Sequence, residues 1–98
     1  RPTAIFAAND DMAAGVIRVA DKLGIRVPED LSVAGCDDIA LARQIYPSLT
    51  TIRQPLSAMA ERAAMALIAS IRNKEPLRGR EVVPAAIRIR ESTGPAPG

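Results

Sequence analysis

A chain of 98 residues holds one small domain or part of a larger one and excludes a second autonomous core. Thirteen basic and eleven acidic side chains leave a formal charge of +2, too slight to hold a polyanion by charge alone. Without His there is no imidazole base, no Ser-His or Cys-His nucleophile pair and no imidazole metal ligand, so the chain reads as a non-enzyme with no metal and no cofactor. One Cys closes no internal disulfide, which makes Cys36 a small apolar residue of a cytoplasmic type of protein. One Phe, one Tyr and no Trp supply no stacking platform for single-stranded nucleic acid, and no apolar run reaches about 18 residues, so no membrane partner is expected. Arg1 is followed by no charged-then-apolar leader, and the sequence reads as a piece of a longer chain.

In chain order, Ala4-Ile5-Phe6-Ala7-Ala8 is an uninterrupted apolar run, the pattern of a strand buried on both faces of a parallel sheet. Asn9 then caps a helix whose first turn carries Asp10 and Asp11, and Gly24 is placed to stop it in a left-handed conformation. Met12, Val16, Val19, Ala20 and Leu23 recur at helical spacing as the expected buried stripe, with Ile17 off it. A return loop with Pro28 leads to a second strand, Leu31-Ser32-Val33-Ala34-Gly35-Cys36, completing a βαβ unit. A short helix is expected over residues 40–46, ended by Pro47.

Thr50-Thr51-Ile52-Arg53-Gln54 is β-branched and extended, and Pro55 suits the first turn of another helix. Leu56, Met59, Ala60, Ala63, Leu67, Ile68 and Ile71 keep a helical repeat that needs a surface to lie against. Residues 74–79 form a turn, Val82-Val83 is expected to be a short strand broken by Pro84, and Ile87-Arg88-Ile89-Arg90 alternates like a half-exposed edge strand. Residues 94–98 form a disordered tail. The fold class is α/β, a Rossmann-like parallel sheet with flanking helices.

Asp37-Asp38 closes the second strand at its carboxyl end, where open α/β sheets place ligands. Two readings stand beside each other: a polar loop start in which one Asp caps the next turn, and a ligand site in which Asp37 accepts hydrogen bonds from hydroxyl groups. Neighbours on an extended segment point apart and have no third ligand, which argues against catalysis or a shared cation. Asn9 holds the same place on its own strand, and capping competes there with ligand binding. Gly35 resembles a site of close backbone approach. No Gly-rich phosphate loop is present. Arg53, Arg88 and Arg90 read as a solvated edge.

Taken together, Pro2-Thr3-Ala4-Ile5-Phe6, Ala8-Asn9-Asp10-Asp11-Met12-Ala13, Arg26-Val27-Pro28-Glu29-Asp30-Leu31-Ser32-Val33, Gly35-Cys36-Asp37-Asp38, Pro47-Ser48-Leu49-Thr50-Thr51-Ile52-Arg53-Gln54-Pro55 and Arg90-Glu91-Ser92-Thr93 resemble the lactose-repressor (LacI/GalR) family of bacterial transcription regulators. The resemblance runs from Pro2 to about Thr93 and implies the C-terminal portion of an effector-binding domain of the periplasmic-binding-protein type I fold. It implies that residues 1–49 and 86–93 belong to the C-terminal lobe, that residues 55–85 belong to the N-terminal lobe, and that residues 50–54 are a crossover. Thr50, Thr51, Ile52 and Arg53 are then hinge residues.

By the same resemblance Asp37, Asn9 and Gln54 bind a small-molecule effector, a sugar or nucleoside-like compound. Cys36 replaces the aromatic residue usual at its position, which makes that wall of the pocket smaller or wetter. Ala14, Ile17, Arg18 and Ile45 correspond to a homodimer surface, and DNA is reached only through an N-terminal headpiece outside this chain. The alternative is a periplasmic sugar-binding transport protein of the same fold. The stripe on the second long helix is expected to stay uncovered here and to drive self-association.

Overall fold

The computed structural model describes all 98 residues, in the order β1 (Ala4–Phe6), α1 (Asp10–Lys22), β2 (Ser32–Cys36), α2 (Ala40–Gln44), β3 (Thr50–Arg53), α3 (Leu56–Asn73) and β4 (Ala86–Arg88). The four strands form one sheet in the order β1-β2-β3-β4. The first three run parallel and β4 pairs antiparallel with β3. The chain divides into two units, residues 1–54 with 86–98, and residues 55–85.

In the first unit, α1 begins and ends as its sequence dictates. The Asn9 side chain accepts from the Met12 N–H at 2.8 Å. At the other end Gly24 takes φ 73°. The Gly24 N–H donates to the Asp21 carbonyl and the Ile25 N–H to the Ala20 carbonyl, the paired bonds of a Schellman stop.

The buried face of α1 is not the expected stripe. Ala13, Ile17 and Ala20 are buried, while Met12, Val19 and Leu23 are 57, 54 and 69 % exposed. The reason lies opposite, at Gly35 on β2. A Cβ built there would sit 2.5 Å from Asp10 Oδ1, 3.1 Å from Leu49 Cδ2 and 3.2 Å from Ala13 Cβ. The helix comes this close to the sheet only because its facing residues are small, so close approach and not side-chain size decides which face is buried. Ala7, Leu31, Val33, Ala42 and Leu49 complete this core, with Ile5, Val16 and Ile45 packed against it.

The register puts Val33, Gly35 and Thr51 on the α1 side and Ala4, Phe6, Ala34, Ile52 and Ile87 on the other. That second face surrounds an open hollow of about 360 Å³. Phe6 is 67 % exposed, so β1 is covered on one side and not on both. It is an edge strand here. The edge strand β4 is shorter than the alternation predicted and fully exposed.

Residues beyond β4 close the sheet instead. Ser92, fully buried, exchanges bonds with β2: Val33 N–H donates to the Ser92 carbonyl at 2.9 Å and Ser92 Oγ donates to the Val33 carbonyl at 2.6 Å. Thr50 N–H donates to Ser92 Oγ at 2.8 Å. Gly94 is bonded to Ser32, so the tail leaves the body one residue later than the sequence indicates.

The second unit is α3 and the segment after it. Pro55 caps the helix and Lys74 ends it in the left-handed region. Arg62 Nη1 meets Glu81 Oε1 at 2.7 Å. No residue of α3 is buried, and Leu56, Leu67 and Ile71 are all more than half exposed, as the uncovered stripe requires. Val82-Val83 forms no strand. Pro84 removes a ladder donor beside it, and no partner strand lies next to the pair.

Two predictions follow from this packing. Gly35→Ala drives a methyl into the Asp10 carboxylate and lowers stability by about 1–3 kcal/mol in denaturant unfolding. The Arg26 guanidinium and N–H, both bonded to Asp30, hold that carboxyl well below the usual aspartate range, at about 2. A depressed carboxyl stabilises the fold fully above its unfolded value and less as pH falls through its folded one. Stability therefore declines between about pH 4 and pH 2, and Asp30→Asn flattens the decline in denaturant midpoints measured across that window.

Candidate functional site

Three parallel strands end side by side, and each carries one of the sequence-derived site residues just past its carboxyl end: Asn9 after β1, Asp37 after β2 and Gln54 after β3. Asp37 and Gln54 touch, with Gln54 Nε2 donating to Asp37 Oδ1 at 3.0 Å. The same amide lies 3.5 Å from Cys36 Sγ, a half-buried thiol. Asp37 is exposed, and its own N–H donates to the Ile52 carbonyl at 2.8 Å, tying it to β3. The result is an exposed carboxylate fixed by an amide, with acceptor capacity left over for hydroxyl groups.

Asn9 has the capping role itself. Only its Oδ1 is spent on the cap, and the amide N–H donors are free of that bond. Capping and ligand contact thus fall on different atoms of one side chain, and they compete less than the sequence implies.

Beneath these residues lies a carboxylate that the sequence presents only as helix-dipole decoration. Asp10 is 1 % exposed. Its Oδ1 accepts from Thr51 Oγ1 at 2.6 Å and its Oδ2 from the Ile39 N–H at 2.8 Å. One buried side chain therefore joins the residue after Asn9, the turn after Asp38 and the strand that leads to Gln54. The missed signal is β2's glycine: Gly35 leaves the space that this carboxylate fills.

Asp37 and Asp38 do not lie on extended backbone. Their φ angles are 112° and 56°, both positive and neither residue a glycine. Asp tolerates the second value well, but the first costs on the order of 1–3 kcal/mol and persists only if the surroundings enforce it. The two side chains part company as expected, by this turn and not by strand alternation. Asp38 points inward, its side chain 1 % exposed, with Oδ1 2.8 Å from Arg90 Nη2 and 3.6 Å from Arg43 Nη1. Neither contact is an aligned hydrogen bond, so the charge is compensated while both carboxylate oxygens stay short of donors. Arg90 is thus not a solvated edge residue: its side chain is 17 % exposed and its Nη1 donates to the Leu49 carbonyl at 2.9 Å.

Of the hinge candidates, Thr50 and Thr51 are buried, Ile52 is half-buried and Arg53 is exposed, all within β3, where Thr51 and Ile52 pair on both sides, Thr50 with β2 alone and Arg53 with β4 alone. Ala14, Ile17, Arg18 and Ile45 converge on a separate groove of about 840 Å³, bordered also by Tyr46 and Pro47. Ile17 belongs mainly to the core, at 8 % exposure, and reaches the groove only by its edge. Tyr46, 88 % exposed, is the large residue of this surface that the sequence reading passes over.

Polar side chains gathered at the carboxyl ends of parallel strands stand where open α/β sheets place ligands. Comparison with known proteins shows the family: residues 1–93 match the periplasmic binding protein-like domain. The NTD biosynthesis operon regulator NtdR of Bacillus subtilis is 42 % identical over 94 residues, 95 % of this chain and 29 % of its own length. Among solved structures, the transcriptional regulator CelR–cellobiose complex superposes with a TM-score of 0.82 at 36 % identity, over 92 % of this chain and 28 % of that one. The lac repressor dimer bound to operator and the anti-inducer ONPF also gives 0.82, at 33 % identity over 94 % of this chain and 32 % of that one. The chain belongs to the periplasmic binding protein-like domain family and within it to the effector-binding domains of LacI/GalR-type transcription regulators. It spans less than a third of the length of these relatives.

The Asp10 clamp generates its own test. Thr51→Val keeps the shape and removes the donor to a buried carboxylate, and it lowers unfolding free energy by about 1.5–3 kcal/mol in denaturant titration.

Proposed function

We propose that this chain is the effector-sensing part of a cytoplasmic, DNA-binding transcription regulator. In this reading it binds a small polar ligand, a sugar foremost, in a cleft between two lobes and so controls operator binding by a headpiece elsewhere in the protein. The observation that carries the reading is the exposed Asp37 carboxylate, fixed by Gln54 at the carboxyl ends of adjacent parallel strands. The solved complex of a similar regulator with cellobiose supports a sugar as the ligand class. Residues 1–49 and 86–93 are assigned to one lobe and residues 55–85 to the other, with residues 50–54 crossing between them.

Ligand shifts the two forms of such a domain only through its difference in affinity for them, commonly about 1–3 kcal/mol of coupling. A second copy is assigned to the groove bordered by Ala14, Arg18, Ile45 and Tyr46, an apolar surface with charge at its margins. The dimeric state of the similar lac repressor supports that assignment.

The test uses the full-length regulator, titrated calorimetrically with D-ribose and cellobiose. At least one sugar is expected to bind, and Asp37→Ala to weaken it by about 10- to 150-fold, the worth of one charge-assisted bond, with operator affinity retained. The bound sugar is also expected to slow alkylation of Cys36, read by peptide mass mapping. Equal affinity in wild type and Asp37→Ala overturns the role of Asp37, and no binding of either sugar overturns the ligand class.

A further inference from the structure

Asp37 holds an unfavourable backbone angle that its surroundings must enforce. Its bond to the Ile52 carbonyl fixes its amide, and the following residue must be held as well for the turn to keep its shape. Asp38 is that residue. Its side chain is buried, and its nearest cationic partner, Arg90, comes from the segment just after β4.

Arg90 is itself anchored by three bonds to β3 and its approach. Its Nη1 donates to the Leu49 carbonyl, its N–H donates to Thr50 Oγ1 at 2.8 Å, and Thr50 Oγ1 donates back to its carbonyl at 3.4 Å. A planar guanidinium spends one edge on a main-chain carbonyl and the other on Asp38, a two-point grip that a lysine ammonium cannot reproduce. Arg43, more than half exposed and 3.6 Å away, adds charge but no comparable anchor.

We propose that Arg90 and Asp38 are positioning residues for the ligand site: their buried ion pair pulls the β2–α2 turn inward and thereby holds Asp37 in its positive-φ conformation with its carboxylate on Gln54. The pair lacks aligned hydrogen bonds on Asp38, so it contributes less by its own bonding than by the backbone geometry that it imposes. The consequence for ligand affinity rests on the reading of Asp37 given above. The positional claim does not, because Cys36 reports it without ligand. Gln54 Nε2 sits between Asp37 Oδ1 and Cys36 Sγ, so release of Asp37 frees the amide and uncovers the thiol.

The experiment measures the rate of Cys36 alkylation by iodoacetamide in the ligand-free full-length protein, by peptide mass mapping, for wild type, Asp38→Asn and Arg90→Met. Asn keeps the shape and the tolerance for positive φ while removing the charge. By local charge alone, loss of a carboxylate favours the thiolate and loss of a guanidinium disfavours it, so the two variants would move the rate in opposite directions. Loss of positioning raises both. At least a fivefold rise in each is the expected result.

Opposite shifts, or rates within twofold of wild type with only a lower melting temperature, overturn the proposal. Where Arg90→Met fails to fold, Arg90→Lys replaces it: the charge stays, the two-point grip is lost, and the same fivefold rise is required. Failure here with Asp37→Ala still weakening sugar binding removes the positioning pair and leaves the ligand site standing.

Discussion

A carboxylate taken out of water must find donors where it is buried, and in this fold Asp10 finds them on two other segments. That single requirement sets the spacing of α1 from the sheet and the identity of the residue beneath it, and it ties the Ile39 amide down after the turn that follows β2. Replace the glycine at 35 and the carboxylate has no room. Remove the Thr51 hydroxyl and half of its compensation disappears. The site residues Asn9, Asp37 and Gln54 are on the surface, but the side chain that sets where their strands end is under them.

A second layer of polar anchoring runs through the last residues of the sheet. Thr50 and Ser92 are buried polar groups, bonded to each other and to Val33 where β2 and β3 meet the segment after β4. Glu91 adds to it from outside: its carboxyl, held by the Ser48 N–H and hydroxyl, stays below the ordinary glutamate range. The segment after β4 is therefore fastened onto the two inner strands by side-chain bonding more than by ladder length, which explains how a three-residue strand such as β4 can hold its place.

Much of this was legible in the sequence because the signals are local. Asn9 and Gly24 mark the two ends of α1 by capping chemistry that needs no tertiary context, and the β-branched residues of β3 mark a strand. The place of Asp37 follows from strand ends alone. What the sequence hid depends on partners distant along the chain. The buried face of α1 was misread because Met12, Val19 and Leu23 are larger than Ala13 and Ala20, whereas the decisive fact, a glycine across the gap, lies on another element. Asp10 looked like a dipole complement for the same reason. Arg90 looked like a solvated edge residue because nothing near it in sequence announces Asp38, and Val82-Val83 carried strand propensity with no neighbour to pair with.

The placement of Ser92 has a consequence for how such a chain comes to be made. The last buried residue of the first unit arrives after the whole 55–85 excursion, and it bonds to a strand 59 positions earlier. During synthesis β2 and β3 must wait on the ribosome with their closing partner still unmade, which exposes pairing-competent backbone for the time needed to translate α3 and its loop. A premature stop only a few codons before Ser92 would thus leave all four strands made and the sheet unlatched, a species suited to capture by chaperones or to aggregation.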